Sequence, residues 1–254
     1  VYKRQVEEED EETSLKDKAV SKRKGKYPAL EPGIRLQLGL LAGKRDLKVT
    51  SDSGFELTHG SPFVGFGGRV DFVFMKLGAD SAFGGSLLGG YAPFTTIFAE
   101  NETYPSQYAR LGAELRYLKA FSETFLVNVF AGGEAMSITI DQNRNYTGHR
   151  YIMARAGAGI LYQVGPVLLE LGGALLPVFS VNNSAGAYGE VPGLTLGFEP
   201  MAGLTFGLSD DLSVSLRYSG QIFSAQYPEP VLPIDAAKSF DVIHSGLISV
   251  GYTL

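Results

Sequence analysis

Asp241-Val242-Ile243-His244-Ser245-Gly246-Leu247-Ile248-Ser249-Val250-Gly251-Tyr252-Thr253-Leu254 sorts its side chains onto two unlike faces. Counting back from Leu254, Tyr252, Val250, Ile248 and Gly246 share one face. Thr253, Gly251, Ser249, Leu247 and Ser245 share the other. Side chains alternate across a strand, so one face is apolar and the other mostly small and polar. A strand left unpaired at a sheet edge invites aggregation, and pairing it with the first strand removes the edge. The expectation is a strand that closes a barrel.

Upstream, the same alternation recurs. Strands are expected at Gly33–Gly43, Pro62–Met75, Ser81–Ile97, Gln107–Phe121, Thr124–Ile140, Arg150–Val164, Pro166–Val181, Pro192–Leu208, Asp211–Gln226 and Asp241–Leu254. The first carries Ile34, Leu36, Leu38, Leu40 and Ala42 against Arg35, Gln37 and Gly39. The second carries Val64, Phe66, Val70, Phe72 and Phe74 against Arg69 and Asp71. Connections after the even strands are short: Leu77–Asp80, Ser122–Glu123, Gly165–Pro166 and Ser209–Asp210. Those after the odd strands are long: Arg45–Ser61, Phe98–Ser106, Asp141–His149, Asn182–Val191 and Tyr227–Phe240.

A strand with an aromatic third from its end and a hydrophobic last residue resembles the assembly signal of bacterial outer-membrane β-barrels. Tyr252 and Leu254 carry the resemblance, although that family usually ends in Phe or Trp. Short turns on one rim and long loops on the other fit the same family. The resemblance implies an all-β, transmembrane, antiparallel up-and-down barrel of about ten strands over residues 31–254. It further implies residence in the bacterial outer membrane with a periplasmic N-terminus. The implied partners are outer-membrane lipid and the barrel-assembly machinery, the latter through the C-terminal strand.

Composition sets limits. The chain has 254 residues and no Cys, so disulfides and thiol chemistry are absent. A net charge of −5 argues against a nucleic-acid partner. No run of about 18 apolar residues exists, which excludes a transmembrane helix but not a barrel. Residues 1–30 pair an acidic run, Val6–Glu12, with a basic run, Lys16–Lys26. They are expected to be disordered. Val1–Gln5 reads as translated sequencing adapter, and the expectation is that the intact gene carries a signal peptide instead.

The polar faces collect Arg35, Arg69, Arg110, Arg116, Arg155 and Arg217 with Asp71, Glu114, Glu134, Glu170 and Glu199. In a narrow lumen an unpaired charge is costly, so these are expected to form an internal salt-bridge network. A charge-lined conduit for a small solute is the alternative. Inner-face glycines, among them Gly39, Gly65, Gly67, Gly112, Gly132, Gly157 and Gly203, are expected to leave room for water. Two aromatic girdles are expected. Phe74, Tyr117, Phe121, Phe125, Tyr162, Phe206 and Tyr252 form the first, at the short-turn rim. Tyr104, Tyr108, Tyr151, Phe179, Tyr227 and Phe240 form the second, at the long-loop rim. His59 and His149 fall in long loops, and His244 near the end of the last strand. Solvated loop histidines are the expectation. A rim-site enzyme is the third functional reading, but no G-x-S-x-G, Walker or zinc-binding spacing appears. No catalytic residue, cofactor or metal is assigned.

Overall fold

The computed structural model describes residues 30–51, 54, 56–97, 103–141, 148–183, 195–226 and 236–254. Ten strands alternate up and down: β1 (Gly33–Ser51), β2 (Glu56–Lys76), β3 (Ser81–Ile97), β4 (Thr103–Ala120), β5 (Phe125–Ile140), β6 (His149–Val164), β7 (Val167–Asn183), β8 (Thr195–Gly207), β9 (Leu212–Gln226) and β10 (Ala236–Thr253). Every neighbouring pair is antiparallel, and β1 pairs with β10, so the sheet closes into a barrel. Leu254 donates its amide to Ile34 at 2.8 Å and completes the seam. Among the described strands no edge is left open.

The outward side chains at mid-barrel are large and apolar. Leu38 is 74% exposed and Phe66 71%. In a water-soluble protein such a surface would drive association; on a barrel it is the lipid-facing belt. In β1 the belt runs from Ile34 to Ala42, close to the roughly 9–11 residues that a tilted strand needs to cross a bilayer.

Beyond Ala42 the pattern inverts. Lys44, Lys48 and Thr50 now face outward, while Leu47 and Val49 are buried inside. The same inversion occurs in β5, where Ser137 and Thr139 face out and Met136, Ile138 and Ile140 face in. The barrel thus continues past the apolar belt as a wall of the soluble kind, polar outside and apolar inside. This corrects the expected long loop at Arg45–Ser61. Most of it is ladder: β1 runs to Ser51, and β2 begins at Glu56. Likewise β4 begins at Thr103 and β10 at Ala236, earlier than expected. The other long connections fall largely outside the described residues.

On the opposite rim the turns are short, as expected. Gly78 (φ 83°) and Gly165 (φ 55°) take left-handed backbone there. Gly165 opens a two-residue hairpin turn, a place where a side chain would be strained.

The interior is layered. Toward the long-loop rim lies an apolar core that includes Leu47, Phe63, Tyr108, Met136, Tyr151, Leu176 and Phe223. At the short-turn rim a smaller core joins Leu30, Ala82, Leu118, Ala120, Leu126 and Leu161. Leu30, assigned by sequence to the disordered segment, is fully buried in that second core. Residues 1–29, with the acidic and basic runs, lie outside the described residues. Tyr108 and Tyr151 belong to the inner core and not to an outer girdle, because the face pattern has inverted at their height. Phe179 and Phe240 do face outward there.

Candidate functional site

Between the two apolar layers lies the charged layer. Arg110, on β4, donates from Nη2 to Glu134 (2.8 Å) and to Glu199 (2.8 Å), and from Nη1 to Ser219 (3.2 Å). Its Nε also lies 2.8 Å from Glu134, without hydrogen-bond alignment. Gln221 donates to the other side of the Glu134 carboxylate at 2.7 Å. Arg155, on β6, bonds Glu199 at 2.8 Å and also Glu114, and its guanidinium lies 4.7 Å above the Phe130 ring. Arg69 bonds Asp71 (2.7 Å), Ser86 (3.0 Å) and Glu114 (3.2 Å). Arg116 bonds Asp71 (3.0 Å) and Asn128 (3.2 Å) and lies 3.7 Å from Glu170. Arg217 bonds Glu170.

Ten of the eleven residues singled out in the sequence therefore sit in one connected array of five Arg and five carboxylates. Alternation explains the convergence: each residue occupies an inward position on its strand, and the closed sheet turns all inward faces to one axis. Arg forks suit carboxylates two bonds at a time, and each carboxylate is shared between two or more donors. Arg35 stands apart. It lies below the array toward the short-turn rim, with no salt-bridge partner among the described residues.

A second polar cluster escaped the sequence reading. Within the upper apolar core, Arg45 donates Nε and Nη2 to the two oxygens of Asp241, at 2.9 and 2.7 Å. Tyr151 donates its hydroxyl to Asp241 at 2.8 Å, and His149 Nδ1 lies 3.0 Å from the same oxygen. All four residues are about 1% exposed. Tyr151 also stacks on Phe223, ring centres 4.3 Å apart. Extending the inward parity of β1 from Arg35 would have reached Arg45. Extending that of β10 from Thr253 would have reached Asp241.

The expected solvated histidines are corrected too. His149 is buried in this cluster. His59 lies in β2, half-buried and bonded to Ser61. His244 lies on the outer wall and contacts the Tyr218 hydroxyl at 2.7 Å. Each has its own partners, and no group of three metal-ligating side chains occurs among the described residues.

Gly67 borders a lumen cavity, as expected, but Gly39, Gly65, Gly132 and Gly157 do not open the lumen. A Cβ on Gly39 or Gly132 would collide with backbone of the next strand, Ile248–Ser249 or Ala113–Glu114. They permit close strand approach. What space remains is divided into small cavities. One of about 110 Å³ lies beside Arg110, and one of about 180 Å³ lies below Arg116.

No family model matches the chain, and no curated protein does. Solved structures are similar to it at low identity. The transport unit of the autotransporter AIDA-I from Escherichia coli is 11% identical, with 88% of this chain and 91% of that one covered, at a TM-score of 0.47. A FadL homologue from Pseudomonas aeruginosa is 10% identical, with 87% and 90% covered, at 0.42. Ail of Yersinia pestis is 12% identical, with 88% and 100% covered, at 0.30. By its closed ten-strand sheet and apolar exterior, the chain has the fold of the bacterial outer-membrane β-barrels.

Proposed function

We propose that this barrel is a non-enzymatic protein of the bacterial outer membrane with a closed lumen. Its role is to anchor or present its long-loop rim at the cell surface, with the N-terminus on the periplasmic side. The filled interior carries this reading: an upper apolar core, a charged layer of shared Arg–carboxylate bonds, and a lower core that includes Leu30. Solute passage would require breaking buried ion pairs, each worth several kcal/mol. The soluble-type wall beyond the belt fits a rim raised above the lipid. Outer-membrane lipid is the partner that the apolar belt suits. The β10 strand is the segment offered to the assembly machinery.

The test is single-channel recording in planar bilayers. The expected result is silence at moderate voltage. Steady, reproducible openings would reject the closed lumen and establish the narrow pore for small solutes.

A further inference from the structure

The charges inside the barrel do not cancel. The connected array holds five Arg and five carboxylates, and Arg45 with Asp241 is a neutral pair. Arg35 is left over, one uncompensated positive charge among the described lumen residues. It borders the cavity of about 180 Å³ between the charged layer and the short-turn rim. Arg116 and Arg217 line the same cavity, as do Glu31, Asp71 and Glu170, which are already paired with Lys76, with Arg69 and Arg116, and with Arg116 and Arg217 respectively; the buried Nε of Arg217 has no hydrogen-bond partner among the described residues. The apolar wall comes from Leu118, Leu161 and Leu168.

A route leads in. A wider recess of about 520 Å³ opens at the short-turn rim between the β6–β7 and β8–β9 turns. Arg35, Leu168 and Thr253 border both spaces, so Arg35 stands where recess and cavity meet. Asp210 and Asp211 lie at the recess and oppose anions in proportion to their charge, which favours a monoanion over a polyanion.

We infer that this cavity binds a small monocarboxylate with a compact apolar group. The carboxylate takes the two-pronged Arg35 guanidinium, with the orphaned Arg217 Nε–H as a further donor. The apolar group packs on Leu118, Leu161 and Leu168. One surplus charge calls for a monoanion, and the leucine wall favours a carbon group over a hydrated inorganic ion. At about 30 Å³ per water, the cavity has the volume of roughly six waters, the size of a short branched acid. The site requires no passage through the charged layer.

The full chain, labelled at leucine methyls with carbon-13 in detergent micelles, would be titrated with sodium isovalerate at constant chloride. Saturable shifts are expected at Leu118, Leu161 and Leu168. The neutral isostere isovaleramide should bind at least tenfold more weakly. Arg35→Gln should weaken isovalerate at least tenfold while the barrel stays folded, because Arg35 holds no ion pair. Leu168→Phe, which fills the cavity, should abolish the shifts. Absence of saturable shifts, equal binding of the amide, or unchanged binding in Arg35→Gln would each overturn the assignment. Should Arg35→Gln fail to fold, the acid–amide comparison on the unaltered protein still decides.

Discussion

Arg45 and Asp241, 196 positions apart, grip each other with two hydrogen bonds across the seam that closes the barrel. Leu47 is the register partner of Asp241, and Ile243 that of Arg45, so the pair runs diagonally between β1 and β10. Both side chains are 1% exposed. His149 and Tyr151 reach the same carboxylate from β6 and tie the seam to another wall.

A buried carboxylate with four contacts is costly to unbalance. Asp241→Leu would remove the carboxylate that accepts two hydrogen bonds from the buried Arg45 guanidinium, at a cost of about 3–5 kcal/mol. Arg45→Met with Asp241→Leu removes both charges and should recover most of that loss. Tyr151→Phe removes one hydrogen bond and should cost only about 1–2 kcal/mol. Urea unfolding in micelles measures all three. A double variant no more stable than Asp241→Leu would show that the pair carries no coupling.

Two glycines on the same seam should behave oppositely. A methyl on Gly39 meets the Ile248 carbonyl and the Ser249 Cα, both fixed backbone. A methyl on Gly246 has its nearest atom, the Ala42 carbonyl, at 3.8 Å. Gly39→Ala should therefore prevent or strongly impair barrel closure, while Gly246→Ala should fold normally. The readout is the gel-mobility shift between unheated and boiled samples in detergent. Normal folding of Gly39→Ala would refute the close approach.

The alternation that places apolar residues outward and Arg or Glu inward was legible in β1, β2, β4, β8 and β9, since each inward residue follows its strand's parity. The turns were legible because Gly78 and Gly165 punctuate them. Asp241 stood inside the expected last strand and was missed because the inward parity was not carried back past Ser245, whereas Arg45 and His149 were missed for a physical reason. Past the belt the solvent changes from lipid to water, so the outward side chains turn polar, and a polar, charged stretch read as loop. Tyr108 and Tyr151 were misplaced by the same inversion, because an aromatic near a rim was read as facing lipid. The Arg110–Glu134 pair follows from the β4–β5 hairpin register, but partners on strands distant in sequence were beyond reach, since the shear that brings Arg155 to Glu199 is a property of the closed barrel.

The exposed turn after β2 offers a pH readout. Lys119 Nζ lies 2.7 Å from Asp80, and this hydrogen bond holds the Asp80 carboxyl below its ordinary value. A depressed carboxyl stabilises the folded state above the unfolded-state value, near 3.9, and that contribution is lost as pH falls through the folded one. The group is open to solvent, so the effect on global stability should be slight. Carbon-13 NMR titration of Asp80 should give a midpoint below that of a free aspartate, rising toward the ordinary value in Lys119→Met. An unchanged midpoint in that variant would remove Lys119 as the cause.

The charged layer makes the strongest quantitative claim. Arg110 bridges Glu134 and Glu199, which are 0% and 1% exposed at the side chain, so one guanidinium neutralises charge on two separate strands. Arg110→Met should cost about 3–5 kcal/mol, because Glu134 loses its nearest cation and Glu199 keeps only Arg155. Glu134→Gln alone leaves Arg110 with Glu199 and should cost less. Combining Arg110→Met with Glu134→Gln should cost less than the sum of the singles, by about 0.5–3 kcal/mol of coupling. The Glu199 carboxylate still loses one donor in the double variant, so recovery should be incomplete. Arg110→Met with Glu134→Gln keeps four Arg against four carboxylates, whereas adding Glu199→Gln leaves four Arg against three, with Arg155 and Arg69 sharing Glu114, and should cost more than the double. Urea unfolding of the four variants in one detergent tests the scheme. Strict additivity would mean that water screens these groups from one another. The lumen would then be wet at its most crowded level, and conduction the better reading.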